Sequence, residues 1–165
     1  MLKEKLKDYH IILASGSPRR QYFFKELDLD FTIDVREVKE VYDPGLQREE
    51  ITEYLATLKA AAFTDLREQD ILITSDTIVW KDGAAIGKAK DRAEATAMLK
   101  NLSGAQHTVY TSVCFTGKNF QELVSDATQV WFKELTEDEI EYYLTTYKPY
   151  DKAGSYGVQE WLGYI

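Results

Sequence analysis

Short apolar runs alternate with helically spaced apolar residues along the chain. Ile11–Ala14 is an unbroken apolar run that stops at Ser15-Gly16-Ser17-Pro18, and apolar residues at helical spacing follow it. Ser17 is a favourable N-cap, and a proline fits the first helical position, where its missing N–H costs nothing. The opening of the chain therefore predicts a strand, a tight turn and a helix.

The same alternation continues to residue 143. Residues 49–67 carry apolar side chains at helical spacing, which predicts a long amphipathic helix. Ile71–Thr74 predicts a buried strand, and Ile78–Trp80 extends it beyond Ser75-Asp76-Thr77. The other predicted elements are a strand at 31–35, a hairpin turn at 81–83, a helix from Asp91 to Gly104, strands at 109–115 and 127–132, and a helix from Thr136 to Tyr143. Strands that alternate with helices, with one or two hairpins, predict an α/β fold with a mixed sheet.

Composition narrows the classes of partner. The chain has 165 residues, which fits one domain, and its net charge of -8 comes from 28 acidic and 20 basic side chains. This balance argues against a nucleic acid polymer as partner, but a small phosphate ligand needs only a few well-placed cations. No apolar stretch approaches 18 residues and Cys114 is the single cysteine, so we expect a cytoplasmic protein that neither enters a membrane nor forms an internal disulfide.

The turn after the first strand is the sharpest candidate for chemistry. A helix N-terminus presents free backbone N–H groups and the positive end of the helix dipole, and both favour an anion. The hydroxyls of Ser15 and Ser17 and the guanidiniums of Arg19 and Arg20 would complete a polyphosphate cradle. Two arginines in a first turn oppose the dipole by about 0.3–1 kcal/mol each, and a bound anion would reverse that penalty. The spacing alone leaves a capped surface helix with two solvated arginines as an equal alternative.

Acidic residues that follow two strands are candidate metal ligands and proton acceptors. Asp76 interrupts an apolar strand pair, where a carboxylate can face a cleft and bind a divalent cation or activate water. Glu37 and Glu40 follow the strand at 31–35, and with Asp76 they would supply the hard oxygen ligands that Mg²⁺ favours. Taken singly, an exposed turn aspartate and solvated loop glutamates are the more common arrangement.

Three lysines and one glutamine are weaker candidates. Lys88 precedes a helix and could meet a phosphate, although its segment lacks the spacing of a Walker loop. Lys59 on the amphipathic helix is most economically a solvated lysine. Lys152 lies among flexible residues in a segment that ends at Gln159, whose amide can bind a base edge, and an ordinary loop is the alternative. His10 and His107 are not spaced as a metal-binding pair.

Several segments match one known family in order along the chain. They are Leu-Ala-Ser-Gly-Ser-Pro-Arg-Arg at 13–20, Glu40, Ser-Asp-Thr-Ile-Val at 75–79, Gly-Lys at 87–88, Leu-Ser-Gly-Ala-Gln-His-Thr-Val-Tyr-Thr at 102–111, and Asp-Lys-Ala-Gly-Ser-Tyr-Gly-Val-Gln at 151–159. In this pattern the chain resembles the Maf family of nucleoside triphosphate pyrophosphatases, also called septum formation inhibitors. The resemblance runs from Ile11 to Gln159, essentially the whole chain.

The resemblance implies a fold and an activity. Family members hydrolyse a nucleoside triphosphate to the monophosphate and pyrophosphate with a divalent metal, Mg or Mn. Their fold is α/β and similar to that of inosine triphosphatase, with a long mixed central sheet and two lobes that flank a cleft. The Ser-Pro-Arg-Arg and Asp-Thr forms resemble the branch that acts on dTTP and UTP, including some modified pyrimidine nucleotides, in a house-cleaning role. Members are usually cytoplasmic and often homodimeric.

The resemblance also implies roles for individual residues. Asp76 would be the proton acceptor, and Arg19, Thr77 and Gln159 would take part in base choice. A metal held by Glu40 and Asp76 would withdraw charge from the phosphates, but metal binding lowers the basicity of a carboxylate, so one of the two roles of Asp76 could belong to Glu40. The remaining positions that match the cleft of the family are Ser17, Arg20, Lys59, Lys88 and Lys152.

Departures from the family leave other functions open. Members commonly continue for about thirty residues past the 151–159 motif, a stretch on the scale of two or three elements, so residues 1–165 are expected to form a single Maf-like domain without the final strands and helix. Ser75 replaces a usual alanine, and Gly87-Lys88-Ala89 replaces a usual Lys-Pro, both with little expected effect. A nucleotide-binding regulator of septum formation without turnover and an enzyme for purine or non-canonical nucleoside triphosphates are the alternatives.

Overall fold

The computed structural model describes all 165 residues. The helices and strands are α1 Leu2–Leu6, β1 His10–Leu13, α2 Pro18–Glu26, β2 Phe31–Ile33, α3 Glu49–Ala61, β3 Asp70–Lys81, β4 Ala84–Ile86, α4 Arg92–Leu102, β5 Gln106–Thr116, β6 Gln121–Trp131 and α5 Glu137–Tyr147, followed by a 3₁₀ turn at Trp161–Gly163.

The sheet is mixed, and the order of its strands is β2-β1-β3-β5-β6. Strand β1 lies between β2 and β3 and is parallel to both, with Ile12 opposite Thr32 and Leu72. Strand β3 also pairs with β4 in the antiparallel sense.

The chain divides into two compact units, and each has its own core. The first unit comprises Met1–Asp76 and Thr111–Asp126, and the second comprises Thr77–Tyr110 and Ala127–Ile165. In the first unit, Ile12 packs with Ala56 and Ala60 of α3, while Ile11 and Leu13 point to the opposite side of the sheet. A strand that is buried on both faces reads as a continuous apolar run, which is why Ile11–Ala14 shows no alternation.

The second unit buries α4 and α5 around a core of apolar and aromatic side chains. Leu99 and Leu102 of α4 and Tyr143 and Leu144 of α5 have at most 1% of their surface exposed. Both helices begin at the predicted residues, and each start is capped by a side chain. Asp91 accepts a hydrogen bond from Glu94 N, and Thr136 and Glu139 form a reciprocal capping box.

Several element boundaries differ from the predicted ones. The helix predicted over residues 49–67 ends at Ala61, and the carbonyl of Ala62, the residue after it, accepts a hydrogen bond from Arg36, whose guanidinium lies 4.1 Å from the centre of the Phe63 ring. Strand β6 begins at Gln121, six residues before the predicted start, and helix α5 continues four residues past Tyr143. Residues 121–129 are all exposed and carry no alternation, so pairing with β5, and not the burial of one face, forms that strand.

The aspartate predicted to follow a strand lies inside one. Strand β3 runs without a break from Asp70 to Lys81, so Ser75, Asp76 and Thr77 belong to it. The hairpin turn predicted at 81–83 is confirmed, and Asp82 and Gly83, which connect β3 to β4, have positive φ angles. None of the helices has the length and apolar composition that a membrane span needs.

Candidate active site

The turn after β1 is held by the side chain of Ser15. Ser17 is the N-cap residue of α2, as predicted, but its side chain makes no capping hydrogen bond. Instead, the Ser15 hydroxyl accepts a hydrogen bond from Ser17 N at 3.2 Å, and Gln21 Nε2 donates to the Ser15 carbonyl at 3.3 Å. A Cβ added at Gly16 would meet no atom within 4 Å, so the outer side of this turn is open to a ligand.

A buried aspartate and a lysine form a close ion pair in the first unit. Asp76 of β3 is 8% exposed, and its Oδ1 accepts a hydrogen bond from Lys59 Nζ of α3 at 2.6 Å. Glu40 Oε1 lies 3.2 Å from the same ammonium, so Lys59 stands between two carboxylates. Glu40 comes from the segment between β2 and α3, and its side chain is half exposed.

Arg20 joins this cluster through the backbone of β3. Its Nη1 donates to the Ser75 carbonyl at 3.1 Å and approaches the Ser15 hydroxyl at 3.5 Å. Lys59 Nζ also reaches the Ser75 carbonyl, at 3.4 Å. Two cations and two carboxylates therefore meet around one residue of β3, and their formal charges cancel.

Burial sets the direction of the pKa shifts in this cluster. The pKa of Asp76 lies above its ordinary value, because burial disfavours the carboxylate and Glu40 acts in the same direction, while Lys59 and Arg20 oppose them. Burial likewise lowers the pKa of Arg20, although the charge of Asp76 acts against that shift. A carboxylate whose pKa is raised by burial accepts a proton more readily than an ordinary surface aspartate.

The acidic pair fits a divalent metal that also binds substrate. No group of three or more histidine, cysteine or carboxylate side chains is placed to hold a metal by itself. Mg²⁺ is commonly held by one or two carboxylates together with substrate phosphates and water, because it loses its own water reluctantly. Glu40 and Asp76, which share Lys59 as a neighbour, match that kind of incomplete donor set.

The second unit brings together two of the other predicted residues. Lys88 forms a β-bridge with Ala153, and Gly154 N donates to the carbonyl of Gly87, so the segments that carry Lys88 and Lys152 are paired. Lys152 is 9% exposed, and its Nζ lies 2.9 Å from Asp151 and 3.0 Å from Glu160. Sequence reasoning identified the lysine and missed Glu160, because nothing in the local spacing marks a glutamate as the partner of a lysine eight positions earlier.

The remaining predicted residues lie, in sequence, near the Asp76 cluster of the first unit or near Lys152 of the second unit. Arg19 is half-buried in the first turn of α2, and Thr77 follows Asp76 on β3 with its surface partly exposed. Gln159 is exposed in the segment that leads to the final 3₁₀ turn. That the Asp76 cluster and the segments of Lys88 and Lys152 line one cleft stays a prediction. The roles of Arg19, Thr77 and Gln159 in selecting the nucleotide base also stay predictions.

The sequence comparisons point to one family, and a solved structure shares the fold. A family model described as "Maf-like protein" matches residues 10–165. A dTTP/UTP pyrophosphatase of Christiangramia forsetii is 57% identical over 166 residues, which cover 100% of this chain and 85% of that protein. A dTTP/UTP pyrophosphatase of Bacteroides fragilis is 46% identical over 97% of this chain and 84% of that protein. The solved structure of a HAM1 protein from Coxiella burnetii shares the fold, with a TM-score of 0.52 and 16% identity over 74% of this chain and 72% of that one.

Proposed function

The chain belongs to the Maf family, and from this premise we propose that it hydrolyses dTTP and UTP to the monophosphate and pyrophosphate. The relatives that cover its whole length carry that activity in their names. The observation that supports the proposal most is the cluster of Asp76, Lys59, Glu40 and Arg20 in the first unit, where a buried carboxylate lies among cations.

In the proposed reaction a water molecule attacks the α-phosphorus. The new bond joins the water oxygen to that phosphorus, the bond from phosphorus to the oxygen that bridges to the β-phosphate breaks, and pyrophosphate leaves with the electron pair. Asp76 accepts the proton of the attacking water, a role that its burial and raised pKa support. Arg20 and Lys59 offset the negative charge of the triphosphate and keep it in one pose.

Glu40 and Asp76 would hold the divalent metal, Mg or Mn. A divalent cation withdraws charge from phosphate oxygens and so favours the departure of pyrophosphate. The side chain of Glu40 is half exposed and that of Asp76 is largely buried. We therefore assign proton acceptance to Asp76 and the more accessible metal contact to Glu40, which eases the conflict between the two roles of one carboxylate.

The other predicted residues would bind the substrate. Ser15 and Ser17 lie in the turn whose outer side is open, where a phosphate can meet backbone N–H groups. We assign Lys88 and Lys152 to the phosphates as well, because they are cations on two paired segments. Arg19, Thr77 and Gln159 are assigned to the base, and the identity of the base is the least constrained part of the proposal.

A substrate panel tests the proposal directly. The purified chain is incubated with dTTP, UTP, CTP and inosine triphosphate in Mg²⁺ or Mn²⁺, and the products are separated and identified. We expect the monophosphate and pyrophosphate from dTTP and UTP, and loss of turnover when a chelator removes the metal. Preferred hydrolysis of inosine triphosphate would favour the purine alternative, and binding without turnover would favour the regulator. Release of orthophosphate with a nucleoside diphosphate would contradict attack at the α-phosphorus.

A further inference from the structure

A buried lysine in the second unit is held by two carboxylates of different exposure. Lys152 Nζ contacts Asp151 at 2.9 Å and Glu160 at 3.0 Å. The side chain of Asp151 is 58% exposed, whereas that of Glu160 is 23% exposed. Solvent and salt screen the exposed pair more strongly, so Glu160 is the partner that matters more for the position of the ammonium.

Glu160 is itself fixed by a tyrosine from α5. The Tyr143 hydroxyl donates to Glu160 Oε2 and accepts a hydrogen bond from Gly157 N at 3.0 Å. Tyr143 is fully buried, and its ring stacks on that of Tyr147 with a centroid distance of 5.1 Å. Two hydrogen bonds thus join Gly157 through Tyr143 to Glu160, and the other carboxylate oxygen of Glu160 forms the ion pair with Lys152.

The backbone around Gly157 closes this network. Glu160 N donates to the Gly157 carbonyl at 3.0 Å, which bends the segment back on itself. A Cβ at Gly157 would lie 3.2 Å from Glu160 Cδ and 3.2 Å from Lys152 Cε, so a side chain there would press on both members of the ion pair. The two charged side chains are therefore packed as well as ion-paired.

We propose that Glu160 and Tyr143 are positioning residues that hold Lys152 in the orientation in which it binds the triphosphate. This inference rests on the proposed function, in which Lys152 contacts the phosphates. A lysine side chain loses considerable rotamer freedom when it binds a ligand, and an anchor that restrains the side chain beforehand lowers that cost. Glu160 and Tyr143 then act on substrate binding only through Lys152.

A double-mutant cycle separates this role from independent contributions. Lys152→Ala, Glu160→Gln and the double variant are compared with the unaltered chain for the KM and kcat of UTP hydrolysis. We expect KM to rise roughly tenfold in Lys152→Ala and about threefold in Glu160→Gln, with kcat nearly kept in both. The double variant should match Lys152→Ala alone, because Glu160 then has nothing to position. Multiplicative effects on KM would overturn the proposal, as would an unchanged or lower KM in Glu160→Gln.

The tyrosine has a matched control on the same helix. Tyr143→Phe removes the hydroxyl of the network, and Tyr147→Phe removes a hydroxyl four residues further on while it keeps the ring. We expect Tyr143→Phe to raise KM about threefold and to speed hydrogen exchange at the Gly157 amide, with Tyr147→Phe unchanged in both. Faster exchange without a change in KM would reduce the network to a structural role and overturn the proposal.

A binding measurement distinguishes failure of this inference from failure of the proposed function. If the unaltered chain releases no pyrophosphate from any triphosphate, the proposed function is wrong, and the same cycle is run on the Kd of α,β-imido-UTP. The expected pattern in Kd is the one given above for KM. If Lys152→Ala changes neither KM nor Kd, or the analogue does not bind, Lys152 does not contact a triphosphate and the positioning role is contradicted with it.

Discussion

The charge state of Asp76 depends on burial and on three neighbouring charges. Burial and Glu40 raise its pKa, and Lys59 and Arg20 lower it, with burial the largest effect. The group is therefore held closer to neutrality than a surface aspartate while it keeps a lysine at 2.6 Å. Such opposed effects are typical of a carboxyl that exchanges a proton during a reaction.

Carbon-13 NMR of labelled aspartate carboxyls measures this pKa, with Asp76→Asn as the assignment control. We expect the Asp76 resonance to titrate above the value of about 3.9 that is ordinary for aspartate. Lys59→Met should raise the midpoint further, because it removes the charge that favours the carboxylate. A midpoint at or below the ordinary value, or a lower one in Lys59→Met, would contradict the electrostatic account.

At the scale of single residues, the sequence indicated which side chains suit a metal and a phosphate, but it did not indicate how buried they are or which side chains they contact. The residue types at Asp76, Lys59 and Glu40 suit a metal and a phosphate. Taken singly, however, the first two were best explained as an exposed turn aspartate and a solvated lysine, and both interpretations are wrong. Their burial comes from α3 packing beside β3, and no spacing along the chain encodes the contact between residues 59 and 76.

A buried threonine fixes the elements that carry the ion pair of Asp76 and Lys59. Thr74 of β3 is fully buried, and its hydroxyl donates to the Ala56 carbonyl of α3 at 2.7 Å. Asp76 lies two residues beyond Thr74 on β3, and Lys59 lies three residues beyond Ala56 on α3. The hydrogen bond therefore fixes the position of α3 along β3 close to the ion pair.

Thr74→Val tests this anchor, with Thr52→Val as its control. Thr52 is also fully buried on α3, where its hydroxyl bonds Ser112 at 2.6 Å. Thr74→Val should cost about 1 kcal/mol of unfolding free energy, the usual value of a lost hydrogen bond. Thr52→Val should cost at least as much, because it also removes the hydrogen bond that this hydroxyl donates to the Glu49 carbonyl at 3.0 Å. We expect only Thr74→Val to lower kcat/KM as well, by roughly threefold to tenfold, because a small shift of Lys59 disturbs the pose of the phosphates. Equal kcat/KM in the two variants would show that the anchor does not position the site.

Element types were more predictable than element lengths. Ser17, Asp91 and Thr136 mark the starts of three helices correctly. Asp91 and Thr136 do so through local capping hydrogen bonds, whereas Ser17 makes none and is followed by a proline at the start of the helix. The carbonyl just past the end of α3 binds Arg36, which lies 26 residues earlier, and no local spacing marks that contact. The first half of β6 depends on a neighbouring strand, so its sequence carries no periodicity of its own.

At the scale of the whole molecule, the second unit contains a histidine that limits stability in acid. His107 is 2% exposed, and its ring packs against those of Phe132 and Tyr156. Its Nε2 is 2.7 Å from the Tyr156 hydroxyl, and its buried Nδ1 has no hydrogen-bond partner. Burial, with a smaller effect of Lys81, lowers the pKa of His107 to about 4.

This shift predicts a loss of stability on acidification. A histidine titrates near 6.5 in the unfolded chain and near 4 in the folded one, so only the neutral form is accommodated. The contribution of His107 is complete above pH 6.5 and is lost as the pH falls towards 4. Urea unfolding should show that the unaltered chain loses on the order of 3 kcal/mol more than His107→Gln over this range. An equal loss in the unaltered chain and in His107→Gln would contradict the account.

The net charge of -8 and the local clusters describe the molecule at two different scales. An acidic chain repels nucleic acid polymers, yet it gathers Arg20 and Lys59 at one position of β3. Composition could exclude a class of partner, but only the motifs in their order indicated a nucleoside triphosphate. The fold and the family were therefore predictable from the chain, while the contacts that tune Asp76 and Lys152 required its three-dimensional arrangement.

The most direct test of the central claim is the rate of pyrophosphate release from UTP in the presence of Mg²⁺ by Asp76→Asn. The control is Asp8→Asn, which removes an exposed carboxyl near the N-terminus. We predict that Asp76→Asn lowers kcat by roughly 10²–10⁴-fold, the contribution expected of a general base, while Asp8→Asn stays within about twofold of the unaltered chain. Pyrophosphate release by Asp76→Asn at the rate of the control would contradict the claim that this buried carboxylate carries the reaction.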